Sequence, residues 1–97
     1  TQRTMEGIGA FFGAERVVTV EAAKGSEDFG LFGTAWNVPS VFWVIGGTDP
    51  ELFARVQNGE DPSVMPVNHS PFYAPMLHPT LRTGVEAMLA ASYAWLD

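Results

Sequence analysis

Val41-Phe42-Trp43-Val44-Ile45, followed at once by Gly46-Gly47, is an unbroken apolar run ended by two residues that stop regular structure. Five consecutive apolar residues of β-branched and aromatic type read as a central strand buried on both faces. In open α/β sheets, ligands gather at the carboxyl ends of such strands. Two short polar motifs flank the run, Gly25-Ser26-Glu27-Asp28-Phe29 before it and Asn68-His69-Ser70-Pro71-Phe72 after it. Neither is a complete catalytic set, so the pattern predicts part of an enzyme.

Working outward, Arg16 to Val20 is rich in β-branched residues and reads as a second strand. Two strands make no stable sheet in water by themselves, and one of them expects cover on both faces. The expected fold is therefore α/β, a partial mixed-sheet catalytic domain with flanking helices that is incomplete without upstream strands. The missing strands would come from another part of the polypeptide or from a second copy of the chain.

The remaining elements are helical. Met5, Ile8 and Phe12 fall at i, i+3, i+7 within residues 4–13, with Thr4 as a cap and Gly13 as a stop. Ser26 suits an N-cap and Glu27 and Asp28 its first turn, which predicts one or two helical turns over 26–33. Asn37-Val38-Pro39-Ser40 is a turn into the apolar run. Thr48-Asp49-Pro50-Glu51 has the layout of a brief helix start, a capping side chain with proline and an acid behind it. Residues 57–76 show no sustained period, are punctuated by Pro62, Pro66, Pro71 and Pro75, and read as a loop. The clearest helix is 79–96, where Leu81, Val85, Met88, Leu89, Tyr93 and Leu96 share one face and Arg82 and Glu86 form an i, i+4 pair. Trp36, Phe42 and Trp43 read as core or sheet-packing residues.

Composition narrows the function classes. The 97 residues make one domain or a piece of one, and 46% apolar residues with seven Phe and three Trp predict a globular chain. The net charge of −6, with five basic residues scattered along the chain, disfavours nucleic acid as a partner. There is no apolar stretch long enough to span a bilayer, so no membrane association is expected. Thr1-Gln2-Arg3-Thr4 lacks the layout of a secretory signal and reads as a trimmed end. With no Cys there is no thiol nucleophile and no thiolate ligand, which is compatible with a reducing cytoplasm.

Several chemistries are unsupported. Gly46-Gly47 is not followed by the Lys of a phosphate loop. Ser26, Ser40 and Ser70 lack a Gly-x-Ser-x-Gly elbow. His69 lies in the long loop, where an imidazole is either a solvated residue or a transition-metal ligand. His78 precedes Pro79 and reads as a turn residue restricted by that proline. Glu27 and Asp28 are either ordinary helix-start acids or partners to a metal-bound histidine.

In combination the motifs point further. Phe12-Gly13-Ala14-Glu15-Arg16-Val17, then Gly25-Ser26-Glu27-Asp28-Phe29, then Val38-Pro39-Ser40-Val41-Phe42 with Ile45-Gly46, then Asn68-His69-Ser70-Pro71-Phe72, and then Leu81-Arg82-Thr83-Gly84-Val85-Glu86 occur in that order. This succession resembles the C-terminal part of metal-dependent amidohydrolases of the hippurate hydrolase, aminoacylase and indole-acetyl-amino-acid hydrolase type, within the wider zinc peptidase superfamily. It covers nearly the whole of residues 1–97.

The resemblance implies a C-terminal segment of a catalytic domain whose complete enzyme holds two divalent metal ions, zinc or manganese. That enzyme would hydrolyse the amide bond of N-acyl amino acids, with a glutamate as general base and the metals stabilising the developing oxyanion. It implies that His69 is a metal ligand and that Ser26, Glu27 and Asp28 lie on the substrate side of the site or behind its ligands. The other ligands and the catalytic glutamate would lie upstream of this segment, which would contain no catalytic residue of its own. A catalytic zinc normally takes three protein ligands, so the isolated chain is expected to bind no metal tightly and to be inactive. Expected partners are the remainder of its own catalytic domain, an N-acyl amino acid substrate and further copies in a homo-oligomer such as a dimer. The competing reading is a non-catalytic interaction module derived from such a hydrolase.

Overall fold

Thr1 and Gly13 bracket the first helix, and Gly13 does so for a local reason. In the computed structural model, which describes residues 1–21 and 28–96, α1 spans Gln2–Phe12. Gly13 ends it at φ 101°, a left-handed value that glycine adopts without a Cβ penalty, and its N–H donates to the Gly9 carbonyl at 2.8 Å. Thr4 is not the cap the sequence suggested. It sits inside the helix, is only 4% exposed, and accepts a hydrogen bond from Trp95 Nε1 at 3.0 Å. A 3-10 turn, Ala14–Arg16, follows.

The other helices are α2, Gly30–Trp36, α3, Pro50–Gln57, and α4, Leu77–Tyr93, with a second 3-10 turn at Pro62–Val64. α2 ends on Asn37, held at φ 53° and ψ 45°, a conformation that Asn tolerates better than most residues. α3 is started by Asp49, whose carboxylate accepts from the N–H of Glu51 at 2.8 Å and of Leu52 at 3.4 Å, with Pro50 in the first turn. α4 is interrupted at His78 (φ −114°, ψ 130°), the extended conformation that a following proline imposes.

The α/β expectation is overturned. Among the described residues there is no strand and no sheet, and every regular element is helical. Neither Arg16 to Val20 nor Val41 to Ile45 finds a ladder partner. Arg16 closes a 3-10 turn, and Val18, Phe42 and Val44 are 71%, 61% and 72% exposed. The physical reason is that strand preference measures fit to neighbouring strands; without them an apolar run remains an irregular segment. The core assignment of the aromatics is corrected with it: Trp36 is 72% exposed and Phe42 lies open, while Trp43 is half-buried.

The residues fall into two units, Thr1–Val44 with Glu86–Asp97, and Ile45–Val85; their boundary at 85/86 falls within α4. In the first unit the buried positions are small: Thr4, Gly9, Gly33, Ala87 and Ala91. α1 meets the end of α4 through Gly7, where an added Cβ would lie 2.7 Å from Ala94 Cβ and 3.2 Å from the Ala90 carbonyl oxygen. Arg3 Nε donates to the Ala94 carbonyl, and its guanidinium stacks 4.8 Å from the centre of the Trp95 ring. The stripe Leu81, Val85, Met88, Leu89, Tyr93 and Leu96 is therefore not the packed face of α4; all six are exposed. Ala87 and Ala91 are the buried residues of α4 instead, and at Gly7 the close approach is made by Ala90 and Ala94, where larger side chains would hold the helices apart.

In the second unit the Met76 N–H donates to the Gly47 carbonyl at 2.8 Å. A Cβ on Gly47 would stand 3.0 Å from Pro75 Cβ and 3.3 Å from Thr80 Cγ2, so Gly47 permits the close pass of this segment over the start of α4. No helix among the described residues is long and apolar enough to cross a membrane.

Gly7→Ala should destabilise the first unit by about 1 to 3 kcal/mol, because overpacking against Ala94 outweighs the gain in helix propensity. Adding Ala94→Gly should recover much of that loss, read as midpoints of urea unfolding followed by circular dichroism; additive losses in the pair would refute the contact. Asp49→Ala should cost about 1 kcal/mol through loss of the α3 cap, measured in the same way.

Candidate metal-ligand histidine

His69 stands in a turn whose shape is written in its neighbours. The Ser70 N–H donates to the Val67 carbonyl at 3.1 Å, the Phe72 N–H donates to Ser70 Oγ at 3.2 Å, and the Tyr73 N–H donates to the Ser70 carbonyl at 3.1 Å. Ser and Pro promote such turns by local hydrogen bonding and a fixed φ. The consequence for His69 is a left-handed backbone at φ 71°. Histidine is one of the few non-glycine residues enriched there, at a cost of about 1 kcal/mol that the surrounding turn must offset. The side chain is exposed, and the imidazole makes no hydrogen bond to another described residue.

The other sequence-expected site residues lie elsewhere in the chain. Ser26 and Glu27 lie outside the described residues. Asp28 is exposed in the first unit, where its carbonyl accepts from the Leu31 N–H at 3.0 Å at the start of α2, while His69 belongs to the second unit. Among the described residues no group of three or more His, Asp or Glu side chains is placed to hold a metal ion. Two open hollows of about 510 and 690 Å³ lie in the first unit, one beside Asn37 to Ser40 and one along α1; His69 lines neither.

The clearest electrostatics of the second unit lie just upstream of the His69 turn. Arg55 Nε and Nη2 each donate to the Glu60 carboxylate at 2.6 Å, a bidentate pair on the surface. The bonded guanidinium lowers the Glu60 carboxyl from its ordinary value, and Glu60 raises Arg55 in return. Asp61 is lowered too, first by the Ser63 backbone N–H, which donates to its carboxylate at 2.9 Å and opens the Pro62–Val64 turn. Sequence reasoning passed over Asp61. Its signal was present, since Asp61-Pro62-Ser63 repeats the acid-then-proline start of Asp49-Pro50-Glu51.

A carboxylate whose folded value is lowered stabilises the fold above its unfolded value, and that contribution is lost as pH falls through the folded value. Glu60 and Asp61 should therefore titrate below the roughly 4 expected of unperturbed carboxyls, and the 55–64 segment should loosen as pH falls through that range. Carboxyl-detected NMR titration of the chain and of Ser63→Pro, which removes the donating N–H, checks this; an Asp61 midpoint unmoved by the substitution would refute the stated cause.

No family model matches this chain, and no solved structure matches it.

Proposed function

We propose that this chain is the C-terminal part of a cytoplasmic dinuclear-metal amidohydrolase that cleaves N-acyl amino acids, and that it brings His69 to the metal centre. The observation that supports this most directly is the presentation of His69: an exposed imidazole, without a hydrogen-bond partner among the described residues, on a turn braced by Ser70. A ligand that completes a centre built mostly by other segments needs that accessibility. The ordered succession of motifs around Ser26-Glu27-Asp28 and His69-Ser70-Pro71 supplies the reaction class. Fold supplies no support, because the family's mixed sheet is absent from the described residues.

In this reading the metals, zinc or manganese, activate water and stabilise negative charge on the cleaved amide. The chain's own part is to hold one imidazole in place through a turn that restricts its backbone. Asp28, with Ser26 and Glu27, stands on the substrate side. The remainder of the catalytic domain is the partner. A second reading, a non-catalytic interaction module derived from such a hydrolase, is favoured by one observation: large apolar side chains such as Trp36, Phe42, Phe72 and Leu96 stand exposed along the chain.

The test uses two substitutions in the enzyme that contains this segment. His69→Asn keeps a residue that tolerates the left-handed backbone while removing the imidazole, and His69→Ala removes both. Both should lose bound metal, measured by elemental analysis, and lower kcat/KM by at least about 100-fold. Metal content unchanged in His69→Asn would strike His69 from the ligand list. Measurable hydrolysis of N-acyl amino acids by the 97-residue chain alone would overturn the fragment reading, and normal activity of the enzyme without this segment would favour the interaction module.

A further inference from the structure

Asn58 and Gly59 close α3, and the manner of closing leaves a reactive pair in the open. The Gly59 N–H donates to the Val56 carbonyl at 3.1 Å and the Glu60 N–H to the Arg55 carbonyl at 3.1 Å, the two bonds of a Schellman stop. Gly59 takes the left-handed position that such a stop requires, at φ 102°. The contact that ties the ends of the motif is commonly apolar. Here it is an ion pair, because the two residues are Arg55 and Glu60, joined bidentately at 2.6 Å. Backbone and side-chain fastenings thus both span Asn58.

The Asn58 carboxamide takes no part in them. Asn58 is exposed, and its side chain makes no hydrogen bond to another described residue. Of the three Asn in the chain, Asn37 precedes Val38 and Asn68 precedes His69; only Asn58 is followed by glycine. A side chain on the following residue crowds its amide nitrogen, and glycine has none. Apart from its chain neighbours, no atom stands within 4 Å of the place a Cβ on Gly59 would occupy. What restrains the Gly59 nitrogen is the stop itself, since its N–H is committed to Val56.

We propose that Asn58-Gly59 is a site of spontaneous deamidation whose rate is gated by the α3 stop. When the stop opens locally, the Gly59 amide nitrogen attacks Asn58 Cγ. The new N–Cγ bond forms as the Cγ–Nδ2 bond breaks, and Nδ2 leaves as ammonia with the proton that the Gly59 nitrogen gives up. One water then opens the cyclic imide. Addition at the side-chain carbonyl gives an aspartyl residue, and addition at the main-chain carbonyl gives an isoaspartyl residue through whose side chain the backbone runs. Either product places a negative charge at the C-terminus of α3, next to Glu60 and Asp61, where the helix dipole disfavours it. The isoaspartyl form also adds an atom to the main chain inside the stop and takes its two backbone bonds out of register. The modification therefore unfastens the motif that delays it. It requires neither His69 nor a metal, and so is independent of the amidohydrolase reading.

The test follows the 97-residue chain and its Glu60→Gln variant at mildly alkaline pH, in buffer and in unfolding urea, by mass spectrometry of digests. The expected product carries the mass gain of exchanging NH2 for OH on the peptide that holds Asn58, as separable aspartyl and isoaspartyl forms, while Asn37 and Asn68 lag behind. Conversion of the folded chain should be at least about tenfold slower than in urea, because only the opened stop reacts. Glu60→Gln should quicken it at least about twofold in buffer, where the ion pair helps to hold the stop, and leave the rate in urea unchanged. Should the variant lose its helical circular dichroism, hydrogen exchange of the unaltered chain decides instead: the Gly59 and Glu60 amides should be protected before conversion and exchange freely after it. No conversion in buffer, conversion at Asn58 no faster than at the other two Asn, equal rates in buffer and urea, a Glu60→Gln rate unchanged in buffer, or amides unprotected from the start would overturn the proposal.

Discussion

The contact between Gly7 and the end of α4 is the constraint on which the first unit rests. A helix can approach another this closely only where one side has no Cβ and the other carries alanine, and that condition is met by Gly7 opposite Ala90 and Ala94. The approach brings Thr4 Oγ1 to the Trp95 Nε1–H and Arg3 onto the Ala94 carbonyl, so two residues near the start of the chain satisfy polar groups near its end. The rest of the unit follows the same economy of size. Gly9, Gly33, Ala87 and Ala91 are its buried positions, and none contributes much apolar area.

That mode of packing explains where the large side chains went. Burial of a Leu or Phe contributes roughly 1.5 to 3 kcal/mol, but only if a surface exists to receive it. A seam of glycine and alanine is too narrow to do so. The apolar stripe of α4 and the aromatic side chains of α2 are consequently left exposed.

His69 illustrates how a local turn can carry a functional reading. Ser70 braces the turn on its C-terminal side, and His69 holds a left-handed backbone within it. The cost is modest because histidine is among the residues that tolerate it. By contrast, Ser26, Glu27 and Asp28 draw their suggested role from resemblance alone.

What could be read in the sequence is what short-range forces decide. The α3 start was legible because Asp49 caps N–H groups only two and three residues away, and the end of α1 because Gly13 alone answers for its own φ. The turn at Asn37 and the break at His78 before Pro79 were legible for the same reason. The strands were not, since Val41 to Ile45 has the composition of a buried strand in any context, and only neighbouring strands convert that preference into a sheet. The α4 helix was legible from the spacing of its large apolar residues, but that stripe is exposed and the small residues Ala87 and Ala91 are the buried ones. Only tertiary structure decided this, because the close approach at Gly7 meets Ala90 and Ala94 and leaves no room there for large side chains.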